Sequence, residues 1–239
     1  MTIKSAWILG STSTVAKATI NNLSKLGCKR FHLLSRNIEL NKSFGEMLFQ
    51  KYGCLITYEF VDLEKIDNQE KKISQIYDLY FVCAGTLGKP LLAREDLNEA
   101  MNIINVNFCG ILPWLNAIVN EKRINHAGSL WIMSSVAADI GRPSNYHYGA
   151  SKAALTKFCE GLMLRCNDKP FNIRIIKAGY ISSPMTQGKA PELLCISPNS
   201  FAKSLLSQKN RRGIEYKPLI WFFIMKIIKL FPKKLLSKM

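Results

Sequence analysis

Tyr148 and Lys152 stand four residues apart at the head of an apolar-periodic stretch (Ala150, Ala153, Ala154, Leu155, Phe158, Leu162), so a helix there puts phenol and ammonium on one face. A tyrosine titrating near 10 is a poor acid or base at neutral pH. A cation about 4 Å away, at an effective dielectric of about 20, is worth up to roughly 4 kcal/mol, on the order of three pK units. The spacing alone is weak evidence, because eight tyrosines and 24 lysines in 239 residues generate about 0.8 such pairs by accident. Specificity comes from Ser135, which closes the run Ile132-Met133-Ser134-Ser135 thirteen positions before Tyr148. Its hydroxyl can hold a substrate carbonyl oxygen beside the phenol, although capping of the following loop explains the same serine. His147 lacks a paired carboxylate or second histidine and reads as a pocket-wall residue.

These groups need a scaffold. Short β-prone runs (Ile3 to Leu9, Phe31 to Leu34, Leu55 to Phe60, Leu79 to Cys83, Ser129 to Met133, Asn172 to Ile176) alternate with helical stretches. That rhythm predicts an α/β fold, a three-layer doubly wound parallel sheet of the Rossmann kind. In such sheets the ligand sits beyond the carboxyl ends of the strands.

The first strand ends in Gly10-Ser11-Thr12-Ser13-Thr14-Val15-Ala16, a glycine turn through hydroxyl residues into a helix. A pyrophosphate needs close backbone approach and free N–H groups at a helix N-terminus. Gly10 supplies the first and Ser11, Thr12 and Ser13 add donors, but Thr14 and Ala16 replace two glycines of the dinucleotide fingerprint. Plain helix capping accounts for the same hydroxyls. The second strand ends Leu33-Leu34-Ser35-Arg36, with no acid for ribose hydroxyls. A serine and an arginine fork suit a 2′-phosphate, favouring NADP(H) over NAD(H). A solvated Arg36 is the plainer alternative, and Lys17 or Arg30 could take the same role. Asp62, with Leu63 beside it, suits the adenine amino group, or a helix cap.

No repeat or low-complexity linker divides the chain, so residues 1–217 form one domain and 218–239 a tail. Hydrophobic residues make up 48%, ample for a core. Seven scattered cysteines without metal-ligand spacing point to reduced thiols, no metal site and a cytoplasmic location. The N-terminal segment lacks the pattern of a secretory signal. Net charge is +16, and residues from 201 onward hold ten Lys or Arg against one acid, Glu215. The seven residues from Leu219 to Met225 are unbroken apolar, with Lys226, Lys229 and Lys233 on one helical face. That is too interrupted to span a bilayer. It suits an amphipathic tail helix lying on the cytoplasmic face of the inner membrane, or packing into a homo-oligomer. Nucleic-acid binding is not expected, since no recognised module is present.

With these motifs in order the chain resembles the short-chain dehydrogenase/reductase family over residues 1–217. Cys83-Ala84-Gly85 resembles the family's Asn-Ala-Gly, Val106-Asn107 its helix asparagine, and Ala178-Gly179-Tyr180-Ile181-Ser182-Ser183-Pro184-Met185 its nicotinamide segment. The resemblance implies a tetrad of Asn107, Ser135, Tyr148 and Lys152. Tyr148 gives a proton, Ser135 holds the oxygen, Lys152 orients the ribose and lowers the tyrosine pKa, and Asn107 supports a water relay. It also implies cofactor contacts at Ala84, Gly85, Gly179, Ile181 and Ser183. Thr14, Ala16, Cys83 and Ala178 depart from the pattern, which bears on cofactor affinity. The tail, the stretch from Asn145 to Leu155 and Gly85-Thr86-Leu87-Gly88 resemble a narrower branch, the decaprenylphosphoryl-2-keto-ribose reductases and related polysaccharide-pathway enzymes. This implies an NADPH-dependent reductase of a keto-sugar, a small molecule or one linked to polyprenyl phosphate. A soluble reductase of 3-oxoacyl thioesters or small ketones, and a dinucleotide-binding regulator without catalysis, are the alternatives.

Overall fold

A computed structural model describes residues 2–66, 70–188 and 191–237. The elements run β1 (Ser5–Leu9), α1 (Thr14–Lys25), β2 (Arg30–Ser35), α2 (Ile38–Tyr52), β3 (Leu55–Phe60), β4 (Leu79–Val82), α3 (Leu97–Asn107), α4 (Leu112–Ile118), α5 (Glu121–Ile124), β5 (Ser129–Ser135), α6 (Tyr146–Arg165), β6 (Asn172–Ala178), α7 (Pro198–Leu206), β7 (Gly213–Lys217), α8 (Ile220–Ile228) and α9 (Lys233–Leu236). The seven strands form one sheet in the order β3-β2-β1-β4-β5-β6-β7, every pairing parallel. The winding reverses between β1 and β4, so the carboxyl ends of those strands open the crevice where a ligand binds.

Side-chain alternation along the central strands feeds a core on each face. Trp7, Leu9, Tyr80, Val82, Leu130 and Ile132 pack on one side; Ala6, Ile8, Leu79, Phe81, Trp131 and Met133 pack on the other. The apolar stretch Leu97–Ile118 has the length and mean hydropathy (1.2) of a membrane-crossing helix. It is α3 and α4, broken at Phe108 (φ −142°, ψ −68°), with Ile111, Trp114 and Leu115 in the core.

All six strands anticipated from sequence are present, and a seventh, β7, was missed. Its centre is Glu215, 3% exposed, an acid where periodicity demands an apolar residue. Arg174 of β6 explains the exception, lying 2.6 Å from Glu215, while Arg211 and Lys217 stand at 3.1 and 3.5 Å. A buried charge is tolerated only when paired in this way.

The tail is docked to the domain. Trp221 and Met225 of α8 are 4% exposed and pack with Val136, Tyr180 and Tyr216. A Cβ on Gly179 would lie 1.9 Å from the Trp221 Nε1, so this glycine makes room for the indole. Residue 238 onward and the side chain of Lys233 lie outside the described residues.

Candidate active site

The turn after β1 takes Gly10 through φ +84°, and a Cβ there would meet the Ala84 amide nitrogen at 2.5 Å. Only glycine lets β1 and β4 close up at the switch point. Ser13 caps α1, its Oγ accepting the Ala16 N–H at 3.1 Å and lying 3.2 Å from the Cys83 thiol. The amides of Thr14 and Val15, in the first helical turn, have no partner within the helix and suit an anion. Thr12 is half-buried and Thr14 exposed at this turn.

Two expected donors are spent elsewhere. Ser11 is fully buried; its N–H donates to the Leu34 carbonyl, and its hydroxyl has both that carbonyl (3.1 Å) and the Asn41 Oδ1 (3.0 Å) as acceptors. Ser35 is 6% exposed; its Oγ accepts from the Asn41 Nδ2 at 2.9 Å and donates to the Asn37 carbonyl at 3.1 Å. Both hydroxyls therefore serve a buried network centred on Asn41, which sequence reading overlooked because nothing marks an inward-facing asparagine on a helix. Arg36 does face the cleft mouth, 58% exposed and paired with Glu64. Asp62 accepts the Glu64 amide at 3.1 Å in a turn, and Leu63 is buried. Gly10, Ser13, Ser35, Arg36, Leu63, Ala84 and Gly85 share the wall of one cleft of about 190 Å³. A larger hollow of about 700 Å³, around Ile73, Pro113 and Arg123, lies on the far side of α4 and contains none of the residues with chemistry.

Asn107 and Lys152 meet across the loop after β4. Asn107, fully buried at the end of α3, accepts the Thr86 N–H at 3.0 Å and donates to the carbonyls of Thr86 (2.7 Å) and Ile103 (2.8 Å). A Cβ on Gly85 would stand 2.9 Å from the Asn107 Oδ1 and 3.0 Å from the Lys152 Nζ, so the bare glycine brings amide and ammonium to one point. Lys152 is 3% exposed and donates to the Met133 carbonyl at 3.1 Å and the Ala84 carbonyl at 3.5 Å. Burial pushes its pKa down to about 8, against the opposite pull of the Cys83 and Cys159 thiols.

Helix α6 is set against β5 by small and hydroxyl residues that no motif marks. Gly149 allows the helix to approach the Ala137 carbonyl, which a Cβ would meet at 2.9 Å. Thr156 bonds the Ser134 hydroxyl at 2.6 Å. Ser135 caps the single 3₁₀ turn Val136–Asp139 by accepting the Ala137 N–H at 3.1 Å, and its hydroxyl also reaches the Tyr148 phenol. The serine that caps this turn is thus also the one beside the phenol.

Burial holds the Tyr148 phenol above its ordinary value of 10, opposed by the Ser135 hydroxyl and by the charge of Arg142. The Lys152 Nζ lies 6.0 Å from the phenol ring centre and is turned toward the strand-end carbonyls, while the Ser135 hydroxyl and Arg142 are the groups that draw the tyrosine pKa down. Arg142 was missed from sequence. Its buried Nε has no hydrogen-bond partner.

Beyond β6 the expected nicotinamide segment is held by Thr186. That hydroxyl donates to the Ile181 carbonyl at 2.5 Å and accepts the Ser183 amide at 3.2 Å. Ile181 is buried, and Ser182 and Tyr180 pair with Ile196 to form a bridge. Gly179 donates its N–H to Lys217, and the space beside it belongs to Trp221. Among the described residues no three His, Cys, Asp or Glu side chains converge as metal ligands, and none of the seven cysteines is in a disulfide.

Known proteins share this fold. The short chain dehydrogenase family model matches residues 4–193. An uncharacterized oxidoreductase of Mycobacterium tuberculosis is 28% identical over 137 residues, 57% of this chain and 53% of the relative. A 3-oxoacyl-[acyl-carrier-protein] reductase of Chlamydia muridarum is 25% identical over 163 residues, 66% of each. The chain thus spans only about half to two thirds of these relatives' length. A short-chain dehydrogenase from Sphingobium yanoikuyae in complex with NADPH superposes with a TM-score of 0.79 at 13% identity, covering 97% of both chains. One from Burkholderia cenocepacia in complex with NADP gives 0.76 at 17%, covering 97% of this chain and 94% of that one. At such identities the likeness establishes the fold.

Proposed function

Since the chain belongs to the short-chain dehydrogenase family, we propose that it is an NADPH-dependent carbonyl reductase whose substrate is a keto-sugar bearing an anionic group, on a polyprenyl phosphate carrier in cell-surface polysaccharide synthesis. The convergence of Ser135, Tyr148, Lys152 and Asn107 beside the β1–β4 crevice carries the reductase reading.

The crevice fits a dinucleotide: Gly10 opens the close approach, the start of α1 offers amides, and Arg36 stands at its rim. The Arg36–Glu64 pair is exposed, and such pairs are worth about 0–1 kcal/mol, so a 2′-phosphate can displace it. A nicotinamide dinucleotide bound there supplies the hydride. The chain's own residues manage the proton. Ser135 donates a hydrogen bond to the carbonyl oxygen, and Tyr148, kept protonated by its raised pKa, delivers its proton to that oxygen as the carbon is reduced to an alcohol. The phenolate left behind is offset by the Ser135 hydroxyl and by Arg142.

Arg142 supports an anionic substrate. A buried guanidinium N–H without an acceptor is costly, and a phosphate oxygen would satisfy it. The Chlamydia muridarum relative favours a second reading, reduction of 3-oxoacyl thioesters. NADPH oxidation with lipid-linked keto-sugar phosphates and with 3-oxoacyl thioesters separates the two. We expect the former, with Arg142→Ala raising KM by about tenfold or more for the phosphate-bearing sugar but not for a neutral ketone, while kcat falls for both as the phenolate loses its counter-charge. Turnover of thioesters alone would overturn the sugar assignment.

A further inference from the structure

We propose that the outer face of α8 is a docking surface for an anionic lipid bilayer. Burial of Trp221 and Met225 fixes which way the helix is rotated. The opposite face, with the residues flanking it, presents Leu219, Ile220, Phe223, Ile227 and Leu230, each between 54% and 84% exposed. At 100° per residue these five fall within an arc of about 100°, a continuous apolar stripe. Soluble proteins rarely leave such a row uncovered.

Charge decides what covers it. Lys226 borders the stripe, its ammonium 4.4 Å over the Phe222 ring. Lys229 lies beyond it at 45% exposure, and Lys234 is exposed on α9. From residue 201 onward the sole acid is Glu215, and it is buried among Arg174, Arg211 and Lys217. Among the described residues from 201 onward, therefore, no acid is exposed beside the stripe. A second copy packed two-fold on α8 would bring lysines against their own counterparts. A bilayer offers apolar depth of about 5–10 Å below a layer of phosphates, which matches the stripe and its lysines together. The nine residues of α8 are far too few to span it. The inference does not depend on the substrate proposed above.

Co-sedimentation of the full chain with phosphatidylcholine vesicles, with and without phosphatidylglycerol, tests it. Binding should require the anionic lipid, weaken with salt, and fall about tenfold or more in Phe223→Glu. Lys226→Ala and Lys234→Ala should each cost about fivefold. NADPH oxidation with a water-soluble ketone should be unchanged in these variants, showing that they fold and separating this test from that of the catalytic reading. Equal binding to neutral vesicles, no binding, or a lipid-indifferent dimer that Phe223→Glu dissociates would each overturn the proposal.

Discussion

The two ends of the crevice are held by different forces. At the β1–β2 end, Ser11, Ser35 and Asn41 form a buried network of neutral hydrogen bonds. At the β6–β7 end, the side chain of Asp139, 2% exposed, gathers Lys177 at 2.5 Å, the Tyr216 hydroxyl at 2.5 Å and Lys229, the C-cap of α8, at 3.1 Å. Burial works against the Asp139 charge, but these three partners outweigh it and hold its pKa below the usual carboxylate value. The neutral network fixes the turn after β1 without reference to pH or salt. The charged one fastens the C-terminal helix to the turn that follows Ser135, and so makes the placement of that turn conditional on ionisation.

The largest effect should separate chemistry from cofactor binding. Tyr148→Phe removes the proton donor and should lower kcat by about 10²–10⁴-fold. Dinucleotide affinity, followed by fluorescence titration, should change far less, because the Gly10 turn, the start of α1 and Arg36 are untouched. Comparable turnover in the variant would break the division of labour between the two ends.

Next comes the charged anchor. Asp139→Asn leaves two lysines without their counter-charge, and breaking a buried pair typically costs about 3–5 kcal/mol; with Lys229 45% exposed, the lower end is expected. Urea unfolding would measure it. Because the folded pKa is depressed, the stabilisation is complete above the unfolded carboxylate value near 4 and is lost as pH falls through the lower folded value. The acid limb of the stability curve should therefore flatten in the variant. A wild-type curve with no Asp139-dependent limb would remove the contrast.

The smallest effect is Asn41→Leu. Two buried hydroxyls lose a partner, worth about 1–3 kcal/mol in the same unfolding assay. Here the loss should be the same at pH 4 and pH 7, since no member of the network ionises. A pH-dependent loss would show that the two ends are not as different as their bonding implies.

Alternation of β-prone and helical runs was enough to read the doubly wound sheet, because a parallel sheet needs apolar strands and period-3.6 helices in turn. β7 escaped because its stability comes from the Arg174–Glu215 pair, and pairing across 41 positions leaves no local trace. In the site, Tyr148, Lys152 and Ser135 were legible from spacing. The direction of Ser11 and Ser35 was not, since a serine after a strand looks the same whether its hydroxyl faces a ligand or an inward asparagine. Arg142 and Thr186 lie in loops whose residues acquire meaning only when the chain returns to Tyr148 and Ile181. Spacing put Lys152 on the same helix face as Tyr148, but the direction of its ammonium is set by the carbonyls of Ala84 and Met133, which spacing along a helix does not reveal.

The turn Val136–Asp139 joins Ser135 to the anchor of α8 through one 3₁₀ turn, whose rise of about 2 Å per residue leaves almost no slack. Mechanically it is a short, stiff lever. A load applied to α8, or its release, reaches the Ser135 hydroxyl without a compliant loop to absorb it, so the tail of the chain has leverage on that atom.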